Sequence, residues 1–104
     1  MTDSNRLYNI HITFRNTDAT EALKNYATEK IKHCLQKFVR QDTEAHVILK
    51  VEKNRQIAEV SFHADGNDVF VTEECADMYA SIDKLIDSLS TQLRKHKERL
   101  TKHH

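Results

Sequence analysis

Five cations crowd the end of the chain. Arg94, Lys95, Lys97, Arg99 and Lys102 stand against a single anion, Glu98. Side chains of this kind at this density bind polyanions, because each can neutralise a phosphate and release a counterion. Cations also oppose the negative end of a helix dipole, which accounts for one or two of them at a helix C-terminus. Five within nine residues exceed that need.

Other groups capable of chemistry are scattered. His11, His46 and His63 alternate with aliphatic residues and could stripe one sheet face, where a zinc site is conceivable; they lack paired Cys/His spacing, and polar residues on a half-solvated sheet are the simpler reading. Cys34 falls on an apolar helical stripe and reads as a small core residue. Cys75 precedes a helix, with no histidine assignable to it as a base. Asp83 and Asp87 are one helical turn apart, which a solvated face explains. One glycine in the whole chain excludes a glycine-rich phosphate loop. These groups point to no catalysis, no metal, no cofactor and no small-molecule substrate.

The elements that must carry the cations are legible as periodicities. Tyr8, Ile10, Ile12 and Phe14 alternate with polar residues as a first strand. Asp18 and Glu21 have capping-box spacing, so the first helix is expected over Ala19–Phe38, with Leu23, Ala27, Ile31, Cys34, Leu35 and Phe38 inward. A second strand over Ala45–Glu52, a tight turn at Asn54-Arg55 and a third strand over Ala58–Ala64 follow. Asp65-Gly66 is a strong hairpin signal before a short fourth strand, Val69–Val71. Met78, Ile82, Leu85, Leu89 and Leu93 then stripe one long amphipathic helix over Ala76–Leu100. The expected fold is α+β, in the order β-α-β-β-β-α. It has a four-stranded mixed sheet, a parallel first pair and two helices packed side by side on one face. Tyr26 and Tyr79 are open to two roles, packing at the sheet edge or stacking on a base.

Net charge conceals the distribution. Sixteen cations balance sixteen anions in 104 residues. Yet Thr20–Arg40 holds five cations and two anions, whereas Gln41–Cys75 holds three cations and eight anions. The helices are therefore basic and the middle acidic. Residues 1–6 form a polar N-terminal extension without the apolar core of a secretory signal, and 7–102 are expected to form one domain. No window approaches a membrane span, and two cysteines without a pairing motif read as free thiols of a cytoplasmic protein.

Three segments carry a resemblance. Leu49-Lys-Val-Glu-Lys53, Ala76-Asp-Met-Tyr-Ala-Ser-Ile-Asp83 and Gln92-Leu-Arg-Lys-His-Lys-Glu-Arg-Leu100 resemble the ribosome hibernation-promoting factor and ribosome-associated inhibitor family, over about residues 7–102. The resemblance implies a bacterial cytoplasmic protein that binds ribosomal RNA of the small subunit in the mRNA and tRNA channel and silences translation in stationary phase or stress. It also implies a fold like that of double-stranded RNA-binding domains. By motif, the implied RNA contacts are Lys24, Lys30, Lys95, Lys97 and Arg99; Lys32, Lys84, Arg94 and Lys102 join by charge and location. Ser88 and Thr91 stand where relatives often carry Lys and Arg, and Lys84 and Arg94 lie one turn from each. The chain ends four residues past Leu100. It thus looks like the short form without a C-terminal dimerisation domain, which would promote ribosome dimers with a separate ribosome modulation factor. Two other roles fit the same elements: a generic double-stranded RNA-binding module, and a protein-interaction modulator of a transcription factor.

Overall fold

A computed structural model describes residues 7–101, with side chains described as far as Lys95. The order is β1 (Tyr8–Arg15), α1 (Glu21–Phe38), β2 (Thr43–Glu52), β3 (Arg55–Ala64), β4 (Asn67–Cys75) and α2 (Met78–Thr101). The four strands form one sheet in sequence order. β1 pairs in parallel with β2, placing Ile10 beside Ala45, Ile12 beside Val47 and Phe14 beside Leu49. The remaining pairs are antiparallel, as the hairpin signals require.

Strand alternation sends Ala45, Val47, Leu49, Ala58, Val60, Phe62, Val69 and Val71 to one face, where all are buried. α1 meets them through Ala27, Ile31, Cys34 and Leu35, and α2 through Met78, Ile82, Leu85, Leu89 and Leu93. α1 lies over β1, α2 lies over β3 and β4, and the helices touch each other. Each helix runs against β1, β2 and β4, so the helices are parallel to one another. Their contacts advance together, from Tyr26 against Asp83 to Cys34 against Ser90. Among the described residues no helix is long and apolar enough to cross a membrane.

Four local expectations are corrected. The N-cap of α1 is Thr20 and not Asp18: Thr20 is extended (φ −115°, ψ 147°) and its hydroxyl accepts from the Leu23 amide at 3.1 Å. The helix accordingly begins at Glu21, two residues later than the capping-box reading. The β2–β3 turn is Lys53-Asn54, with Lys53 at φ 59°, and Arg55 already pairs with Glu52 as the first residue of β3. β4 spans nine residues instead of three, since its acidic end, Glu73-Glu74, is held by cross-strand and helix partners that local sequence does not reveal. Cys75 therefore closes β4, and Asp77 caps α2 by accepting from the Ala80 amide at 3.1 Å. The Asp-Gly hairpin is as expected, with φ 55° at Asp65 and 77° at Gly66, the left-handed pair such a turn demands.

Cys34 and Cys75 are both free thiols. Burial pushes the Cys34 thiol up, against a weaker opposing pull from its contact with Ser90. Core packing carries the fold. Leu89→Ala, at a site with no solvent exposure, should lower unfolding free energy by about 2–5 kcal/mol in urea titration. Leu7→Ala, at a residue 61% exposed, should change it by no more than about 0.5 kcal/mol.

Candidate polyanion-binding surface

The helices expose their cations because their apolar stripes are used up against the sheet. Lys24, Lys30, Lys32, Lys37, Arg94 and Lys95 are all exposed, and among the described residues none forms an ion pair. The strands behave differently. Lys50, the cation of β2, lies 3.1 Å from Glu59 and 3.6 Å from Glu52. Arg55, the cation of β3, forks onto Glu74 through Nε (3.0 and 3.1 Å) and Nη2. That guanidinium holds the Glu74 carboxyl below the usual carboxylate range, chiefly through these hydrogen bonds. Charge on β2, β3 and β4 is thus internally compensated; Arg15 at the end of β1 and Lys53 in the β2–β3 turn are exposed without an ion pair among the described residues, and most helix charge is likewise available to an outside anion.

Position round each helix divides the cations further. Tyr26 and Cys34 are the residues of α1 that touch α2. At about 100° per residue, Lys30 and Lys37 fall within about 20° of the line midway between them. Lys24 and Lys32 fall about 120° and 160° away, on the flank turned from α2. On α2, Tyr79, Asp83 and Ser90 face α1, and Arg94 lies about 40° from their mean direction. Lys84 and Lys95 share the opposite flank, over β4. Lys84 stands 3.8 Å from Glu73, whose other oxygen accepts from the Ser88 hydroxyl. Lys95 borders a hollow between α2 and the β3–β4 hairpin, with Asp65 and Asp68 on its rim.

The predicted site is therefore brought together in part. Lys30 and Arg94 converge along the inter-helix groove, Lys84 and Lys95 line the β4 flank, and Lys24 and Lys32 face away from both. Lys97 and Arg99, whose side chains lie outside the described residues, and Lys102, which lies wholly outside them, are not placed. Lys37 was missed as a site residue. Its signal was its spacing of seven from Lys30, two turns along one stripe. Glu73, which tempers Lys84, gave no signal at all.

The inter-helix groove also holds the two helical tyrosines. Tyr26 and Tyr79 meet edge to face with centroids 5.0 Å apart, and the Lys30 ammonium lies 5.3 Å from the Tyr26 centroid. The Tyr26 hydroxyl donates to Asp83, which raises the phenol's pKa above its ordinary value. On the uncovered sheet face, His11 stacks on His46 at 5.0 Å and bonds Glu44 at 2.9 Å, while His63 bonds Asp68 at 2.8 Å. His11 and His63 are held in these two separate carboxylate pairs, His46 only stacks on His11, and no metal-binding cluster occurs among the described residues.

Over residues 10–101 the sequence matches the family described as Sigma 54 modulation protein / S30EA ribosomal protein. The ribosome hibernation promoting factor of Klebsiella oxytoca is 39% identical over 94 residues, 90% of this chain and 98% of that one. The factor of the same name from Escherichia coli (strain K12) is 40% identical over the same shares. Among solved structures, a ribosomal subunit interface protein from Coxiella burnetii has the same fold, with a TM-score of 0.77 over 88% of this chain and 99% of that one, at 24% identity. The N-terminal domain of Thermus thermophilus Protein Y gives 0.75 over 85% and 98%, at 29% identity.

The Glu73 contact yields a direct test of the electrostatics. Glu73→Gln keeps an acceptor for Ser88 but removes the charge beside Lys84. The variant should elute from immobilised heparin at higher salt than the parent, with its stability within about 1 kcal/mol because the lost ion pair is long, at 3.8 Å, and its Lys84 partner is exposed.

Proposed function

The chain belongs to the Sigma 54 modulation protein / S30EA ribosomal protein family, and from that premise we propose how it acts on the ribosome. It is a ribosome hibernation protein, working by binding and not by catalysis. In our reading the target is ribosomal RNA of the small subunit, in the channel that mRNA and tRNA would occupy. The helix face meets RNA phosphates, and the compensated sheet face looks away. Lys30, Lys37 and Arg94 supply the central contacts along the inter-helix groove, Lys84 and Lys95 add contacts from the β4 flank, Lys97, Arg99 and Lys102 continue them, and Lys24 and Lys32 reach a separate phosphate row along the far flank. Occupying the channel blocks translation in the cytoplasm during stationary phase or stress. The bound ribosomes then favour dimers with the help of a separate modulation factor.

The contrast between the unpaired cations clustered on the helix face, Lys84 excepted, and the paired Lys50 and Arg55 of β2 and β3 carries this reading. A protein of zero net charge has no general attraction to RNA, so any strong binding must come from one face. Sedimentation with ribosomes and with separated subunits tests it. The protein should co-sediment with small subunits. Five to eight phosphate contacts should cost roughly two to four orders of magnitude in affinity between about 50 and 200 mM salt. An affinity flat across that range would remove the electrostatic basis. Equal competition by free duplex RNA would favour a generic duplex-binding module instead.

Charge reversal locates the face. Lys95→Glu, Lys97→Glu and Arg99→Glu together should abolish co-sedimentation and inhibition of cell-free translation, while melting stays within a few degrees of the parent. Glu44→Lys, on the uncovered sheet face at a side chain 63% exposed, should do neither. If the triple variant still protects the channel from chemical probing, the RNA-binding face lies elsewhere.

A further inference from the structure

The aromatic cluster in the inter-helix groove is chemically unlike the phosphate-binding cations beyond it. Tyr79 is one of three large hydrophobic residues exposed among those described, with 39% of its surface open, and it stands on a helix face otherwise polar. Tyr26 supports it from the side, and Lys30 covers Tyr26. Asp83 completes the cluster: one carboxylate oxygen is fixed by the Tyr26 hydroxyl, and Oδ2 accepts no hydrogen bond among the described residues. A carboxylate here would repel a phosphate. It suits the amino edge of a nucleobase, which donates N–H to acceptors of this type. An exposed aromatic ring beside it offers the stacking surface that unpaired bases use.

We propose that Tyr79, Tyr26, Lys30 and Asp83 form an exposed reader for one unpaired nucleobase that bears an exocyclic amine. The base stacks on Tyr79 and donates its amine to Asp83 Oδ2, and Lys30 neutralises the adjoining phosphate. This deepens the ribosomal-RNA reading above and rests on it. Tyr79 lies about 22 Å along the α2 axis from Arg94, so the reader and the phosphate-binding end touch different stretches of RNA. Stacking releases no counterion. Its contribution therefore separates from the electrostatic one in a salt titration.

Binding to small subunits is measured across a salt series, together with base-specific chemical probing of the complexes. Tyr79→Ala should weaken binding about 5- to 100-fold at every salt concentration, as loss of one base–aromatic stack does, with an unchanged slope against log salt. One base should regain reactivity while the remaining footprint persists. Tyr79→Phe should bind as the parent does. Tyr79→Leu, which keeps an apolar side chain against Tyr26, should melt like the parent yet bind like Tyr79→Ala. Asp83→Asn keeps the acceptor for Tyr26 and turns the Oδ2 position into a donor; it also removes a negative charge beside Lys30, so its readout is the footprint, in which the amine-bearing base should regain reactivity while the other protections persist. Parental affinity and footprint in Tyr79→Ala, or a Phe variant as weak as the Ala variant, overturns the proposal. A parental footprint at that base in Asp83→Asn overturns the assignment of an amine-bearing base. If the parent protein itself protects no base of the small subunit, the ribosomal-RNA reading has failed first, an outcome distinct from the others.

Discussion

The parallel pairing of β1 with β2 is the constraint on which the rest of the molecule depends. Two adjacent strands running the same way need a crossover, and α1 supplies it on one face of the sheet. The meander that follows brings β4 back to the direction of β1, so α2 must return in the direction of α1. Two parallel helices on one face put their C-terminal ends together, and with them two negative dipole ends. Lys37 in the last turn of α1 sits where that field is most negative, and the Arg94–Lys95 pair lies on the C-terminal half of α2, nearly two turns before its end. In the proposed reading the same cations serve both stability and binding. A phosphate arriving there meets side chains whose presence the helix dipoles already favour.

Zero net charge is reached by segregation and not by mixing. Exposed ion pairs such as Arg55–Glu74 contribute little to stability singly. Their consequence lies in the field: Lys50 and Arg55 are each matched by carboxylates within the strands, so β2, β3 and β4 present no uncompensated cation. Ile57 belongs to the same arrangement, since it is buried on the sheet face that no helix covers and lies among Lys50, Arg55, Glu59 and Glu74. Lowering the pH through the depressed range of Glu74 would discharge it and release Arg55. Stability from that pair is present at neutral pH and fades in acid, the sign expected for a carboxylate whose folded pKa is lowered.

The fold was legible because its main signals are periodic and local. The alternation of Tyr8–Phe14, the stripe from Met78 to Leu93 and the Asp-Gly turn each specify an element without outside help, and element order then leaves few topologies. The misreadings share a cause, which is partners distant in sequence. Glu73-Glu74 looks too acidic for a strand until Arg55 and Ser88 are placed beside it. Asp18 is the better cap by residue type and by its spacing from Glu21, and only the path of the chain between β1 and α1 gives the role to Thr20. The site was legible as composition and only partly as geometry. Nothing in the spacing of Lys24, Lys30 and Lys32 reveals which of them faces α2; that follows from the helix contact through Tyr26 and Cys34, and so does the grouping of Lys37 with Lys30.

A contact on the other flank of α2, against β4, bears on why the centre of α2 carries so little positive charge. At Ser88 the structure places a half-buried hydroxyl against the Glu73 carboxylate, with Lys84 on the carboxylate's other side. A second cation at that position would crowd Lys84 and compete for one carboxylate. Lys84 does not simply replace a missing lysine at Ser88, because part of its charge is spent on Glu73. Arg94 differs, having no ion pair among the described residues and lying toward the groove. The binding potential of α2 is thereby moved to its two ends, a cationic one at Arg94–Lys95 and an aromatic one at Tyr79. In the proposed reading, a surface built this way holds a polyanion by attraction at one end and fixes its register by shape and base contact at the other. The first part gives affinity that salt weakens, and the second gives selectivity that salt leaves alone.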